Sequence, residues 1–333
     1  MKQDINAVTD LIFGYRRAKI LIEAASLNIF TLIEKSSTTS KNISDTLNID
    51  PRATEAILNA LVAMGFLYKK NGRYRNTAVS KKFLVEGKPA CRVRNLTYQN
   101  IIWDAWSGLG NVLKNGRPST LLPKLLKDSK FLKSYIVGMR EFAKKPSKEV
   151  AQAIDTSNVL RMLDVGGGPG SYTTAFLKKN PALKGVILDL PQTLKIAKEF
   201  ISKSSVKNRV NFIPGDYHKV SFGSNKFDLV LFSHVTHDEG YQENKKLFKK
   251  AYRALRKNGL IVIHDFMLDK SFTSPLIPAL FFVHMVVHTE KGRVYSNIEY
   301  KKLLKSTGFC FKEEKIICPS AATSSKIIIA RKK

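Results

Sequence analysis

Eleven residues, Met162 to Tyr172, constrain the chain most: MLDVGGGPGSY sets Gly166, Gly168 and Gly170 at alternate positions between an apolar run and a helical one. VLRMLDVG reads as a hydrophobic strand, and GGPGSYTTAFLKKN turns from it into a helix. Glycines there let backbone amides come close to a ligand, and the helix N-terminus that follows favours negative charge such as a carboxylate. The dinucleotide fingerprint is spaced G-x-G-x-x-G and an ATP loop ends in Gly-Lys-Ser/Thr, so neither matches. The spacing favours a methyl donor.

Acidic residues downstream support that reading. KGVILDLP places Asp189 at the end of a second strand, where a carboxylate accepts the two hydroxyls of a ribose. RVNFIPGDYH ends a third strand at Asp216 and Tyr217, an acceptor for an adenine amino group and a ring to pack on the purine. One strand-end Asp alone is more often a cap or turn residue. Three features in register at successive strand ends specify a nucleoside pocket, assigned to Asp164, Gly166, Gly168, Asp189, Leu190, Asp216, Tyr217 and Ser233.

The 333 residues, 44% hydrophobic, suffice for one large or two modest domains. The formal charge of +29 invites a nucleic-acid reading, but Lys and Arg exceed Asp and Glu by 16 to 8 in residues 1–100 and by 30 to 14 in residues 161–333. So even a spread reads as solvated basic faces, and a nucleic-acid partner is disfavoured. The amino terminus, MKQDINAVTD, is polar, and the apolar stretch Pro275–Val287 is too short to span a bilayer, so a soluble, cytoplasmic protein without a membrane span is expected. Cys91, Cys310 and Cys318 show no CxxC spacing, which speaks against disulfides and a zinc ribbon.

Asp10 to about Lys145 is helical in its apolar spacing, whereas from Val159 short β-rich runs alternate with amphipathic helices, as in βαβ units. KNISDTLNI, DPRATEAILNALVAMGFL and YKKNGRYRNT read as helix, helix and a hairpin turning at Asn71-Gly72, a winged-helix pattern. Asp50 is the expected N-cap, with Pro51 at the first helical position. The polar face of that second helix is thin for base readout, so a structural or dimerisation module is favoured. Ala18–Lys35 reads as a mostly apolar helical pattern that must be buried against something, such as another copy of the chain. The expected divisions are a winged-helix-like dimerisation domain over 1–100, a helical linker to an acceptor pocket over 101–150 and an α/β domain over 151–333.

With DVGGGPGSY, VILDLP, GDYH, HVTHDE and NGLIVIHDF in place, nearly the whole chain resembles the small-molecule O-methyltransferases of the caffeate and acetylserotonin type. The resemblance implies a Rossmann-like class I methyltransferase domain using S-adenosylmethionine, with an N-terminal all-helical or winged-helix dimerisation domain. It further implies a C-terminal antiparallel hairpin, Phe309–Cys318 and Ser325–Arg331, and an intertwined homodimer. It places Met139 beside the donor and Met285 near the acceptor, and maps the family's catalytic His and its Asp onto His237 and Asp238.

Histidine suits deprotonation of a phenol near neutral pH, and His237 lies just past the fourth strand; His234 competes for the role. Glu239 is expected to cap the following helix. The resemblance aligns the family's orienting acids with Val294 and Ile329, so either Glu290 or Asp238 substitutes, or the reaction relies on positioning. Trp103, Trp106, Phe142, His284, Met285 and His288 are the candidate acceptor-pocket residues. His284 and His288 share a helical face and with His237 and Asp238 would make a two-histidine, one-carboxylate set, but histidines in an apolar helix are more often packed, and no metal is assigned. Rival readings are an RNA- or DNA-directed methyltransferase and a donor-binding relative with altered chemistry, non-methylating or C-methylating.

Overall fold

In a computed structural model, which describes residues 4–35, 37–121, 127–319 and 324–333, the apolar segment 18–35 forms two helices rather than one. Helix Ile5–Ser26 stops at Asn28, whose left-handed φ of 57° lets the chain turn into helix Ile29–Lys35. Asparagine tolerates that conformation because its short polar side chain bonds locally. The turn sets Ile29, Phe30 and Ile33 in one core with Ala24, Ile43, Leu58, Leu61 and Tyr74, all buried. Asp50 caps helix Pro51–Ala63 by accepting from the amide of Ala53 at 2.7 Å. Strands β2 (Leu67–Lys70) and β3 (Arg73–Asn76) meet at Asn71 and Gly72, both with positive φ, and β1 (Thr38–Thr39) pairs on the other side of β3. The wing is thus a three-stranded sheet, within a compact unit spanning Met1–Asp104.

The second unit, Ala105–Lys333, is built on a seven-stranded sheet in the order β6-β5-β4-β7-β8-β10-β9. Its strands are β4 (Arg161–Val165), β5 (Lys184–Asp189), β6 (Val210–Pro214), β7 (Phe227–Ser233), β8 (Leu255–Asp265), β9 (Phe309–Ile317) and β10 (Ser325–Lys332). The first five run parallel, and β10 lies antiparallel between β8 and β9, so the expected terminal hairpin is present to within a residue at its ends. VIL, LVLF and LIVI are apolar throughout because helices cover both faces of the sheet, one packing Phe248 and Leu303, the other Phe176 and Leu194. The parallel register carries Gly166, Asp189, Asp216, Ser233 and Asp265 to one edge, the carboxyl ends of successive strands, where open α/β sheets bind ligands. Among the described residues no helix is long and apolar enough to cross a membrane.

Arg209, just before β6, braces that edge from the opposite end. Its guanidinium donates to the carbonyls of Leu177, Asn180, Pro181 and Leu183 at 2.8–3.0 Å, tying the end of helix Ser171–Lys179 to the starts of β5 and β6. Replacing Arg209 by Ala leaves those carbonyls short of a donor and is expected to cost about 2 kcal/mol of stability in urea unfolding. Arg209→Lys should recover only part, since an ammonium cannot reproduce the fork.

Candidate active site

Two glycines make the donor loop possible. A Cβ on Gly166 would come 2.6 Å from the Val235 side chain, whereas Gly168, at φ 52°, has nothing within 4 Å on that side and borders open space. The Gly168 amide donates to Asp189 Oδ2 at 2.8 Å, the Leu190 amide to Asp189 Oδ1 at 2.7 Å, and the Gly215 amide to the Asp189 carbonyl at 2.9 Å. Asp189 therefore fastens three loops before any ligand arrives, and each carboxylate oxygen keeps a further lone pair for a hydroxyl. Asp164 braces the loop from beneath through the Thr173 hydroxyl and amide at 2.6 and 3.3 Å. Its Oδ1 is buried without a protein partner, and burial pushes the carboxyl up to about 7. Open space over Gly168 and acceptor oxygens on Asp189 fit a nucleoside-bearing donor.

Asp216 accepts from the His218 amide at 2.8 Å, closing a small turn that presents Tyr217. The Tyr217 hydroxyl donates to Glu239 Oε1 at 2.7 Å, and His218 Nε2 lies 2.8 Å from the same oxygen. Glu239 does not cap the next helix: Gly240 is the cap residue of Tyr241–Ala254, with no side-chain bond, and Glu239 reaches back to the loop after β6. The Ser233 hydroxyl pairs with the ring of the buried His264 at 2.9 Å, inside the sheet layer. Met139 is half-buried on helix Ser129–Ala143.

His237 stands on a short 3-10 turn, Thr236–Asp238, and is 6% exposed. Its Nδ1 lies 2.6 Å from Asp265 Oδ1, at the very end of β8. Asp265 is fully buried and collects three further donors: the Phe266 amide at 2.8 Å, the Thr236 hydroxyl at 2.9 Å and the Tyr300 hydroxyl at 3.3 Å. Burial works against the charge on both partners, but the Asp265 and Asp238 carboxylates raise the imidazole to about 9. In turn the charge on His237 holds Asp265 well below the ordinary carboxylate range despite its burial.

Asp265, a residue the sequence reading missed, is thus the acid that holds the His237 ring. Asp238 is no substitute, since its Oδ1 lies 3.7 Å from the other ring nitrogen, Nε2; burial raises its carboxyl to about 6. Glu290 is exposed, on the loop after helix Leu276–His288. Val294 packs in an apolar cluster with Met285, and Ile329 pairs with Val262 inside the sheet. The signal that finds Asp265 was available: the strand-end rule that nominates Asp189 and Asp216 also nominates the last residue of NGLIVIHD.

Around His237 the rings of Phe142, Phe266, Phe281, His234 and His284 form one wall. Phe281 meets His237 edge-on at 4.8 Å between centroids, Phe142 meets His234 at 5.8 Å, and His284 stacks on Phe281 at 5.4 Å. The Trp106 indole donates to His284 Nδ1 at 3.1 Å, and burial, with His288 and His237 nearby, pushes His284 down to about 3. His284 is neutral, with its proton on Nε2. His288 is buried behind it at 4.3 Å, its Nδ1 3.4 Å from the Thr120 carbonyl. Trp106, Phe142, His284, Met285 and His288 therefore share this region; Trp103 belongs to the amino-terminal unit, beneath the ammonium of Lys19. The ring nitrogens of His234 and His237 lie close enough to an Asp265 oxygen to share a metal ion, a different set from the His284, His288, His237 and Asp238 combination. Two surface cavities of about 320 and 350 Å³ open elsewhere, beside Arg161 and Phe227 and beside Asp228 and Gly259 at the amino ends of the strands, and touch none of these residues.

Known proteins share the domain organisation and the fold. Residues 99–310 match the O-methyltransferase domain and residues 9–86 the O-methyltransferase dimerisation domain. A 3-hydroxy-5-methyl-1-naphthoate 3-O-methyltransferase from Streptomyces sahachiroi is 27% identical over 90% of this chain and 88% of its own length. Acetylserotonin O-methyltransferase from Bos taurus is 27% identical over 96% of this chain and 95% of its own. The fold coincides with that of human N-acetylserotonin methyltransferase in complex with SAM, at a TM-score of 0.87 and 22% identity, covering 99% of each chain. With the domain match spanning the whole parallel sheet and its carboxyl edge, the chain belongs to the O-methyltransferase family.

Proposed function

We propose that this enzyme transfers a methyl group from S-adenosylmethionine to a hydroxyl of a small aromatic acceptor, with His237 as general base. The observation that carries the reading is the 2.6 Å pairing of His237 Nδ1 with Asp265 at the strand edge that also bears Gly168 and Asp189. Bound over Gly166 and Gly168, S-adenosylmethionine supplies an electrophilic methyl carbon. Asp189 takes the ribose hydroxyls, and Asp216 and Tyr217 take the adenine, with Asp164, Leu190, Ser233 and Met139 shaping the rest of the donor site.

Because Nδ1–H is committed to Asp265, the basic lone pair of His237 is on Nε2. The acceptor hydroxyl gives its proton to Nε2, the new imidazolium charge is held by Asp265, and the oxygen electron pair forms the bond to the methyl carbon as the carbon–sulfur bond breaks, its electrons returning to sulfur to leave neutral S-adenosylhomocysteine. An imidazole near 9 is well matched to a phenol near 10. The aromatic wall around His237 suits a flat aromatic acceptor. The neutral His284 and His288 supply hydrogen bonds without charge.

His237→Ala should lower kcat by roughly 10²–10⁴-fold while S-adenosylhomocysteine, titrated calorimetrically, binds as to the native enzyme. A near-native rate in that variant refutes the assignment. The working base is the unprotonated imidazole, so kcat/KM should rise with pH and level off above about 9. In Asp265→Asn the nearer of the two raising carboxylates is gone, and the rising limb should move to lower pH as the rate falls.

The dimerisation-domain match, together with the exposed row Ile5, Val8, Leu11, Ile12, Phe13 and Tyr15 along the first helix, supports a homodimer built through that helix. Sedimentation equilibrium should give twice the chain mass, and Leu11→Glu with Ile12→Glu should shift it toward the monomer.

A further inference from the structure

The loop from Gly215 to Val220 is gripped from outside by two side chains. Lys250, on helix Tyr241–Ala254, donates to the carbonyls of Tyr217 and His218 at 2.5 and 3.1 Å, which fixes the backbone. Glu239 fixes the side chains, its Oε1 taking the Tyr217 hydroxyl at 2.7 Å and lying 2.8 Å from His218 Nε2. The Glu239 side chain is only 12% exposed. A carboxylate so placed holds its donors more firmly than a neutral acceptor would.

The backbone of the same segment is secured without that carboxylate. The Tyr295 hydroxyl donates to the Glu239 carbonyl at 2.7 Å, the Arg293 amide to the His237 carbonyl at 2.7 Å, and Asn244 Nδ2 to the Thr236 carbonyl at 2.8 Å. The turn that carries His237 therefore does not depend on the Glu239 side chain, whereas the Tyr217 ring does. An aromatic ring has two side-chain torsions, and tying its hydroxyl suppresses both before a ligand arrives.

We propose that Glu239 is a positioning residue for the methyl donor: by holding Tyr217 and His218 from the base-bearing turn it fixes the ring that covers the adenine, and so sets donor affinity rather than turnover. This rests on the reading that Asp216 and Tyr217 bind the adenine.

The test is calorimetric binding of S-adenosylhomocysteine, with steady-state kinetics and thermal melts, on the native enzyme, Glu239→Ala, Glu239→Gln, Tyr217→Phe and the double variant Tyr217→Phe/Glu239→Ala. Glu239→Ala should raise Kd and the donor KM about tenfold, with kcat nearly unchanged. Glu239→Gln, whose amide oxygen still accepts the tyrosine hydroxyl, should recover most of the loss. Tyr217→Phe should weaken binding in the same direction, and the double variant should lose no more than the worse single one, because both cut one link. Native Kd in Glu239→Ala, additive losses, or a joint collapse of kcat, KM and melting temperature would each overturn the proposal. If the native enzyme itself binds no S-adenosylhomocysteine, the donor reading beneath it fails, an outcome separable from the others.

Discussion

A carboxylate with no exposed surface, Asp265, is the interaction on which the catalytic edge depends. An isolated buried charge is prohibitively costly, so the fold must supply donors. It does so from four places: His237 on the 3-10 turn, the Phe266 amide just past β8, Thr236 beside the histidine and Tyr300 on helix Asn297–Ser306. Satisfying the acid therefore fixes the turn, the strand end and the helix together. The same arrangement dictates the histidine tautomer, which no local feature of HVTHDE specifies.

That dependence explains what the sequence shows and what it hides. The donor loop, Asp189 and Asp216 are legible because strand, glycine turn and strand-end acid follow one another along the chain. His237 and Asp265 are distant in sequence and meet only through the parallel pairing of β7 with β8, which sets Ser233 opposite His264 and ties the His234 amide to the His264 carbonyl. The resemblance puts the family's orienting acids at Val294 and Ile329, which are apolar and packed here, and not at the strand end. Glu239 misleads for a similar reason. A glutamate ahead of a helix reads as a cap, but the 3-10 turn and Gly240 intervene and release its carboxylate toward Tyr217. The helix break at Asn28 is invisible to apolar spacing, because both pieces bury the same kind of face.

The donor side is assembled before a ligand is present. Two amides already occupy Asp189, and Gly168 is held at a positive φ with open space beyond it. Little backbone ordering is left for binding to accomplish, which lowers the entropic cost of association. What the backbone does not fix is the side of the site furnished by side chains, chiefly Tyr217, and that ring is held by Glu239.

The acceptor side follows a different electrostatic logic from the protein surface. The chain carries a formal charge of +29, but the histidines facing the aromatic wall are kept neutral, His284 by burial and its neighbours and His288 by burial. His237 binds its proton tightly, and its charge is answered by Asp265. An anionic acceptor would thus find little positive charge at the wall to draw it in, whereas a neutral aromatic hydroxyl meets apolar rings, uncharged nitrogens and one base. On the proposed mechanism, deprotonation inside such a walled space leaves the new oxyanion beside the imidazolium, and methylation cancels the oxyanion against the sulfonium, leaving the imidazolium held by Asp265. That methyl-transfer step runs from three charged groups about the acceptor to one, the direction a low-dielectric pocket favours.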